Sequence, residues 1–84
     1  MKPVKIYTTT YCGYCVRAKD LLTRKGVKYE EVDVTGNDDM RSKLVEMSGQ
    51  RTVPQIWIGD THVGGYSDLA LLESQGRLDP LLQA

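Results

Sequence analysis

Cys12 and Cys15 are the only cysteines of this 84-residue chain, and they flank Gly13-Tyr14 where an apolar β-type run gives way to a helical pattern. Spacing of i, i+3 on a helix puts both sulfurs on one face, close enough to bond to each other. The first sulfur lies beside the unpaired N–H groups of a helix start, an environment that stabilises a thiolate. Ionisation matters because a free thiol, with an ordinary pKa of about 8.5, is only about 3% thiolate at pH 7. A helix dipole contributes about 0.3–1 kcal/mol at an exposed site, against about 1.4 kcal/mol for each pKa unit. Direct N–H hydrogen bonds or a nearby cation must therefore add to it. The pair predicts thiol–disulfide exchange. A closed zinc site is disfavoured, because it needs four ligands and the chain adds only His62 to its two cysteines.

The elements that must position this pair are readable from periodicity. Val4 to Thr8 is a β-branched and aromatic run, a strand leading through Thr9, Thr10 and Tyr11 to the cysteines. From Gly13, the side chains of Cys15, Ala18, Leu21 and Leu22 recur at helical spacing, with Arg24 and Lys25 in the last turn and Gly26 as the stop. Val27 to Val34 reads as a second strand whose alternation slips at Glu30-Glu31. Asn37 is the expected N-cap of a second helix, with Met40, Leu44 and Met47 as its apolar stripe and Gly49 at its end. Gln55 to Ile58 and Thr61 to Val63 form an antiparallel hairpin around Gly59-Asp60. Ser67 is the expected cap of a third helix through Leu69, Leu71 and Leu72, stopped by Gly76, and a last turn is expected near Asp79-Pro80. His62 and Trp57 read as hairpin and core residues. The order β, α, β, α, β, β, α joins the first two strands by a helical crossover, so they are parallel, and predicts an α/β fold with helices on both faces of a small mixed sheet.

Composition narrows the partners. Hydrophobic residues make up 40% and charged residues 26%, the balance of a globular protein with one modest core. Eleven basic and eleven acidic residues give a formal net charge of zero, which points away from nucleic acid and from membrane surfaces. Met1 to Tyr7 lacks the pattern of a signal peptide, and no apolar run approaches membrane-spanning length. Two cysteines in such a chain are expected to be a reducible pair in a reducing cytoplasm.

Three separated segments then carry a resemblance: Cys12-Gly13-Tyr14-Cys15 after the Ile6-Tyr7-Thr8 strand, Thr52-Val53-Pro54, and Gly64-Gly65-Tyr66-Ser67-Asp68. In this order and spacing they resemble the dithiol glutaredoxins of the small bacterial type, within the thioredoxin fold, over essentially all of residues 1–84. The resemblance implies one glutaredoxin domain with a four-stranded mixed sheet of order 2-1-3-4, the last strands antiparallel. It implies a glutathione-dependent oxidoreductase, a monomer, that reduces protein disulfides and glutathione mixed disulfides through Cys12 as nucleophile and Cys15 as resolving thiol. Thr52, Val53 and Pro54 match the family's cis-proline loop, where the cysteinyl part of glutathione docks along the Val53 backbone. Gly65, Ser67 and Asp68 match the segment that takes the γ-glutamyl end, with backbone N–H groups facing its carboxylate and Asp68 its ammonium. Tyr14 is placed beside the ligand.

Two residues depart from the family pattern. Thr9 stands where many relatives have lysine, and so brings no positive charge toward the thiolate or the glycyl carboxylate of glutathione; Arg51 is expected to take part of that role. Gly13 stands where the commonest motif has proline, leaving the dithiol loop freer and shifting its reduction potential. Because some glutaredoxins without that proline hold a [2Fe–2S] cluster between two monomers and two glutathiones, a cluster-binding dimer with Cys12 as ligand is one alternative. A dithiol donor recycled by thioredoxin reductase is the other.

Overall fold

The computed structural model describes residues 1–83. Alternation along β1 (Val4–Thr8) sends Val4 and Ile6 to one face of the sheet and Lys5 and Tyr7 to the other. Helix α1 (Gly13–Arg24) returns the chain to β2 (Glu30–Asp33), which pairs in parallel with β1 in the register Lys5↔Glu30 to Thr8↔Asp33. After α2 (Asp38–Ser48), strand β3 (Gln55–Ile58) runs antiparallel on the other side of β1, with Lys5 opposite Trp57. Strand β4 (Thr61–Gly64) closes the hairpin at the edge, and α3 (Tyr66–Ser74) and α4 (Leu78–Gln83) follow. The sheet order is β2-β1-β3-β4, the predicted α/β thioredoxin-like architecture.

Helices cover both faces. Val4, Ile6, Ile56 and Ile58 pack on Ala18, Leu22, Leu69, Leu78 and Leu82 in the main core, under α1, α3 and α4. On the opposite face, Tyr7, Val34 and Leu44 form a smaller core under α2, edged by Val32, Met40, Val53 and Trp57. That second layer is incomplete. Leu44 is buried, but Met47, expected to continue the apolar stripe of α2, is 52% exposed. It lines an open groove with Tyr7, Tyr29 and Trp57.

Three boundaries differ from the sequence reading. β2 was expected from Val27, yet it begins at Glu30. The end of α1 explains this: Gly26 is left-handed at φ 73°, its N–H bonds Thr23 O, and the Val27 N–H bonds Leu22 O at 3.0 Å. This Schellman wrap folds Val27 back onto the main core, so its apolar character serves the helix end. At α3, the N-cap is Gly65, and Ser67 lies inside the helix. The Asp68 carboxylate accepts the Gly65 N–H at 3.0 Å and so fixes the start two residues earlier than a serine cap would. At the C-terminal end, the expected turn is a short helix that buries Leu78 and Leu82, with Pro80 in the first turn, where its missing N–H has no partner to lose.

Ion pairs tie the layers at two points. Lys25 Nζ reaches Glu73 and Asp79, both at 2.8 Å, joining the end of α1 to α3 and α4. Glu31 Oε2 on β2 accepts from Lys19 Nζ at 3.0 Å and from the buried Thr8 hydroxyl at 2.8 Å. Those two bonds, Lys19 first, hold the Glu31 carboxyl below its ordinary range. A carboxyl lowered in the folded state adds stability above its unfolded pKa and loses it as pH falls through the folded value. Glu31→Gln, which keeps an acceptor for Thr8, is expected to lower stability at neutral pH by about 0.5 kcal/mol, given the solvent screening of this half-exposed pair. In denaturant unfolding the difference from the natural protein should vanish toward acid pH; a difference that grows there would contradict the assignment.

Candidate functional site

The site is assembled where β1 ends and α1 begins. Cys12 is the N-cap of α1, with φ −137° and ψ 103°, and its carbonyl accepts the first intrahelical bond, from Val16 N–H at 3.1 Å. Its side chain does the work that serine or aspartate does in other helices: Sγ accepts the Cys15 N–H at 3.1 Å. Cys15, one turn in, faces the sheet and is 1% exposed, whereas Cys12 is half-buried at the surface. The two form a disulfide, with Cα atoms 5.2 Å apart. Gly13 is the first helical residue, and a Cβ there would meet no other atom, so the chain around it is open.

The approach loop is held from the side. Thr10 N–H donates to Thr35 Oγ1 at 2.7 Å, and the Thr10 hydroxyl reaches Asp33 Oδ2 at 3.3 Å. Asp33 Oδ1 accepts the Thr35 N–H at 2.8 Å. The Thr35 side chain and amide, with Thr10, hold the Asp33 carboxyl below its usual range. The end of β2 thereby fixes the segment that delivers Cys12.

A groove of about 270 Å³ starts beside the dithiol. Val53 O lies 3.7 Å from Cys12 Sγ, and the Val53–Pro54 peptide bond is cis. Tyr14, Thr52, Val53 and Pro54 line one part of the groove, and Gly65, Ser67 and Asp68 line the part at the start of α3. Gly64 is required there by its φ of 113°, and the Asp68 carboxylate occupies the space a Cβ at Gly64 would need. A Cβ at Gly65 would lie 3.6 Å from Pro54 O. Seven of the nine residues assigned to ligand binding from the sequence thus share one concavity with the dithiol at its edge.

Thr9 and Arg51 do not line it. Thr9 is half-buried in the approach loop, and Arg51 is exposed on a separate depression with Asp38, Arg41 and Ser42. The Arg51 carbonyl accepts from the Arg41 guanidinium at 3.3 Å. Two groove residues were not singled out from the sequence, Gln50 and Tyr66. Tyr66 stacks on Tyr14 with centroids 6.2 Å apart, and the Arg17 guanidinium sits 5.5 Å from the Tyr14 ring on α1. Tyr66 lay inside a recognised motif, so its place could have been read; Gln50 carried no such signal. A larger groove of about 660 Å³ between α2 and the sheet, beside Pro3 and Gly59, is lined by neither cysteine.

A cysteine-capped helix following the central strand, opposite a cis-proline loop, defines a thioredoxin-fold thiol–disulfide oxidoreductase. The glutaredoxin family model matches residues 4–63. Glutaredoxin of Pseudomonas aeruginosa is 56% identical over 84 residues, covering 100% of both chains. Glutaredoxin 3 of Escherichia coli K12 is 48% identical over 83 residues, covering 99% of this chain and 100% of the relative. Among solved structures, a buckwheat glutaredoxin–glutathione complex superposes with a TM-score of 0.90 at 34% identity, over 98% of this chain and 77% of that one. The Brucella melitensis glutaredoxin superposes at 0.88 with 50% identity, over 98% and 89%. The chain belongs to the glutaredoxin family.

The unequal burial of the two sulfurs makes a direct prediction. After reduction, a limited amount of iodoacetamide should alkylate Cys12 and leave Cys15 free, as read by peptide mass mapping. Equal labelling of a folded sample would contradict the geometry.

Proposed function

We propose that residues 1–84 act as one glutaredoxin domain that uses glutathione to reduce glutathione mixed disulfides and protein disulfides in a reducing cytoplasm. The observation that carries this reading is the continuity of the groove, from Cys12 past the Val53 backbone to the start of α3 with its carboxylate Asp68. Among the described residues, none of the backbone hydrogen bonds outside the helices and the sheet uses the Val53 N–H or C=O, so both can serve an extended peptide as an added strand would. At the far end, the first amides of α3 suit a carboxylate and Asp68 suits an ammonium, the two charges of a γ-glutamyl group. The glutathione complex of the buckwheat relative supports the same ligand.

The chemistry follows from the two sulfurs. The Cys12 thiolate attacks the glutathionyl sulfur of a mixed disulfide; the Cys12–glutathione S–S bond forms, and the substrate leaves as a thiolate that takes up a proton. A second glutathione, as thiolate, attacks the glutathione sulfur, releasing Cys12 and glutathione disulfide. With a protein disulfide, Cys15 attacks Cys12 Sγ in the mixed intermediate, expels the reduced protein and leaves the Cys12–Cys15 bond. Two glutathiones then restore the dithiol. Cys15 sits one turn from Cys12 and is shielded from competing thiols, as a resolving group should be. Tyr14 and Tyr66 form an aromatic wall along the path.

No step requires a metal. A [2Fe–2S] cluster takes four thiolate-type ligands, and one chain presents only Cys12 at its surface, so the cluster-bound dimer would draw its other ligands from a second chain and from glutathione.

Cys12→Ser should abolish both activities, while Cys15→Ser should keep reduction of a glutathionylated peptide and lose dithiol reduction of a protein disulfide. Coupled turnover with glutathione and glutathione reductase measures both. Turnover supported by thioredoxin reductase but not by glutathione would overturn the glutathione reading.

A further inference from the structure

Gln55 opens β3, and its side chain is completely buried. A buried carboxamide must find partners for two N–H donors and an oxygen acceptor. Its Nε2 faces three oxygens: Gln50 Oε1 at 2.9 Å, Thr52 O at 3.0 Å and Thr52 Oγ1 at 3.3 Å. A backbone carbonyl can only accept, so the Thr52 contact determines which end of the amide is the NH₂. Gln55 Oε1 is then left facing His62 Nε2 on β4 at 2.8 Å. Oε1 also can only accept, so His62 Nε2 carries the proton. The ring is braced from the side by Trp57, stacked with centroids 4.5 Å apart.

This chain of bonds ends on the groove. Among the described residues the only cis bond is Val53–Pro54, so the Thr52–Val53 peptide is trans, and its C=O and N–H point in opposite directions. Drawing Thr52 O inward onto Gln55 therefore turns the Val53 N–H outward. Thr52 and Val53 line the groove, as does Gln50, the other partner of the Gln55 amide. We propose that Gln55, braced by His62, is a positioning residue that aims the Val53 N–H at the backbone of the bound glutathionyl group, setting affinity for it without touching it. This rests on the glutathione reading given above for the ligand, but the aim of the Val53 N–H does not.

The test uses Gln55→Met, which keeps the length of the side chain and removes its polar atoms. The Michaelis constant for a glutathionylated peptide should rise about tenfold, the cost of one misaimed hydrogen bond, with kcat little changed. Alkylation of reduced Cys12 by iodoacetamide should proceed as in the natural protein, which general loosening of the site would not allow. His62→Leu should raise the same constant less, and His62→Gln, which retains an N–H donor, should restore it. In NMR spectra recorded without glutathione, the Val53 amide resonance should move in Gln55→Met, and the neutral His62 ring of the natural protein should be protonated on Nε2. An unchanged Michaelis constant in folded Gln55→Met, an unmoved Val53 amide, or a His62 ring protonated on Nδ1 would overturn the proposal. Should Gln55→Met not fold, equal constants for His62→Leu and His62→Gln would overturn it. Absence of glutathione turnover in the natural protein would contradict the ligand assignment instead, and the Val53 and His62 resonances would still decide the positioning role.

Discussion

The hydrogen bond from the Cys15 N–H to Cys12 Sγ is the interaction on which the rest of this molecule depends. It makes one sulfur of the redox pair also the cap of α1, so the helix cannot begin in this way without presenting that sulfur at its amino end. Magnitudes show why the cap matters more than the helix as a whole. The dipole contributes about 0.3–1 kcal/mol to an exposed anion, whereas a hydrogen bond to a charged acceptor contributes about 1.5–3. Together they supply about 2–4 kcal/mol, or roughly one and a half to three decades in an ionisation constant.

Much of the fold serves to hold that cap in place. β1, paired with β2 on one side and β3 on the other, delivers the approach loop; Asp33 and Thr35 at the end of β2 grip Thr10 beside it. Cys15 and Ala18 seat α1 on the sheet, one of them a redox group and the other a pure packing residue on the same buried face. On the other side of the sulfur, the Gln50–Pro54 loop is tied to β3 and β4 through Gln55 and His62. The dithiol and the groove are thereby fixed to the same sheet from opposite sides.

The sequence reading was strongest where one residue type has one physical use. Gly26 and Gly49 end their helices in the left-handed conformation, Asn37 caps α2 through its side chain, and the parallel and antiparallel pairings followed from the crossover and the hairpin. It failed where an apolar or polar residue had two uses. Val27 looks like the first residue of a strand and is the wrap of a Schellman end; Ser67 looks like a cap, but an aspartate one position later sets the helix start. Met47 keeps the spacing of a core residue but stands at an open groove beside the sheet. The dithiol and most of the groove were legible because the resemblance brings three distant segments together. Gln55 and His62 were not, since their importance lies in a hydrogen-bond chain that no spacing reveals.

The fraction of Cys12 present as thiolate at pH 7 tests this account most directly, measured by ultraviolet absorbance of the reduced protein against its Cys12→Ser variant. The capping energies predict at least about half thiolate, compared with about 3% for an unperturbed thiol. A fraction near the unperturbed value would show that the Cys15 N–H does not stabilise the anion, and the central claim would fail.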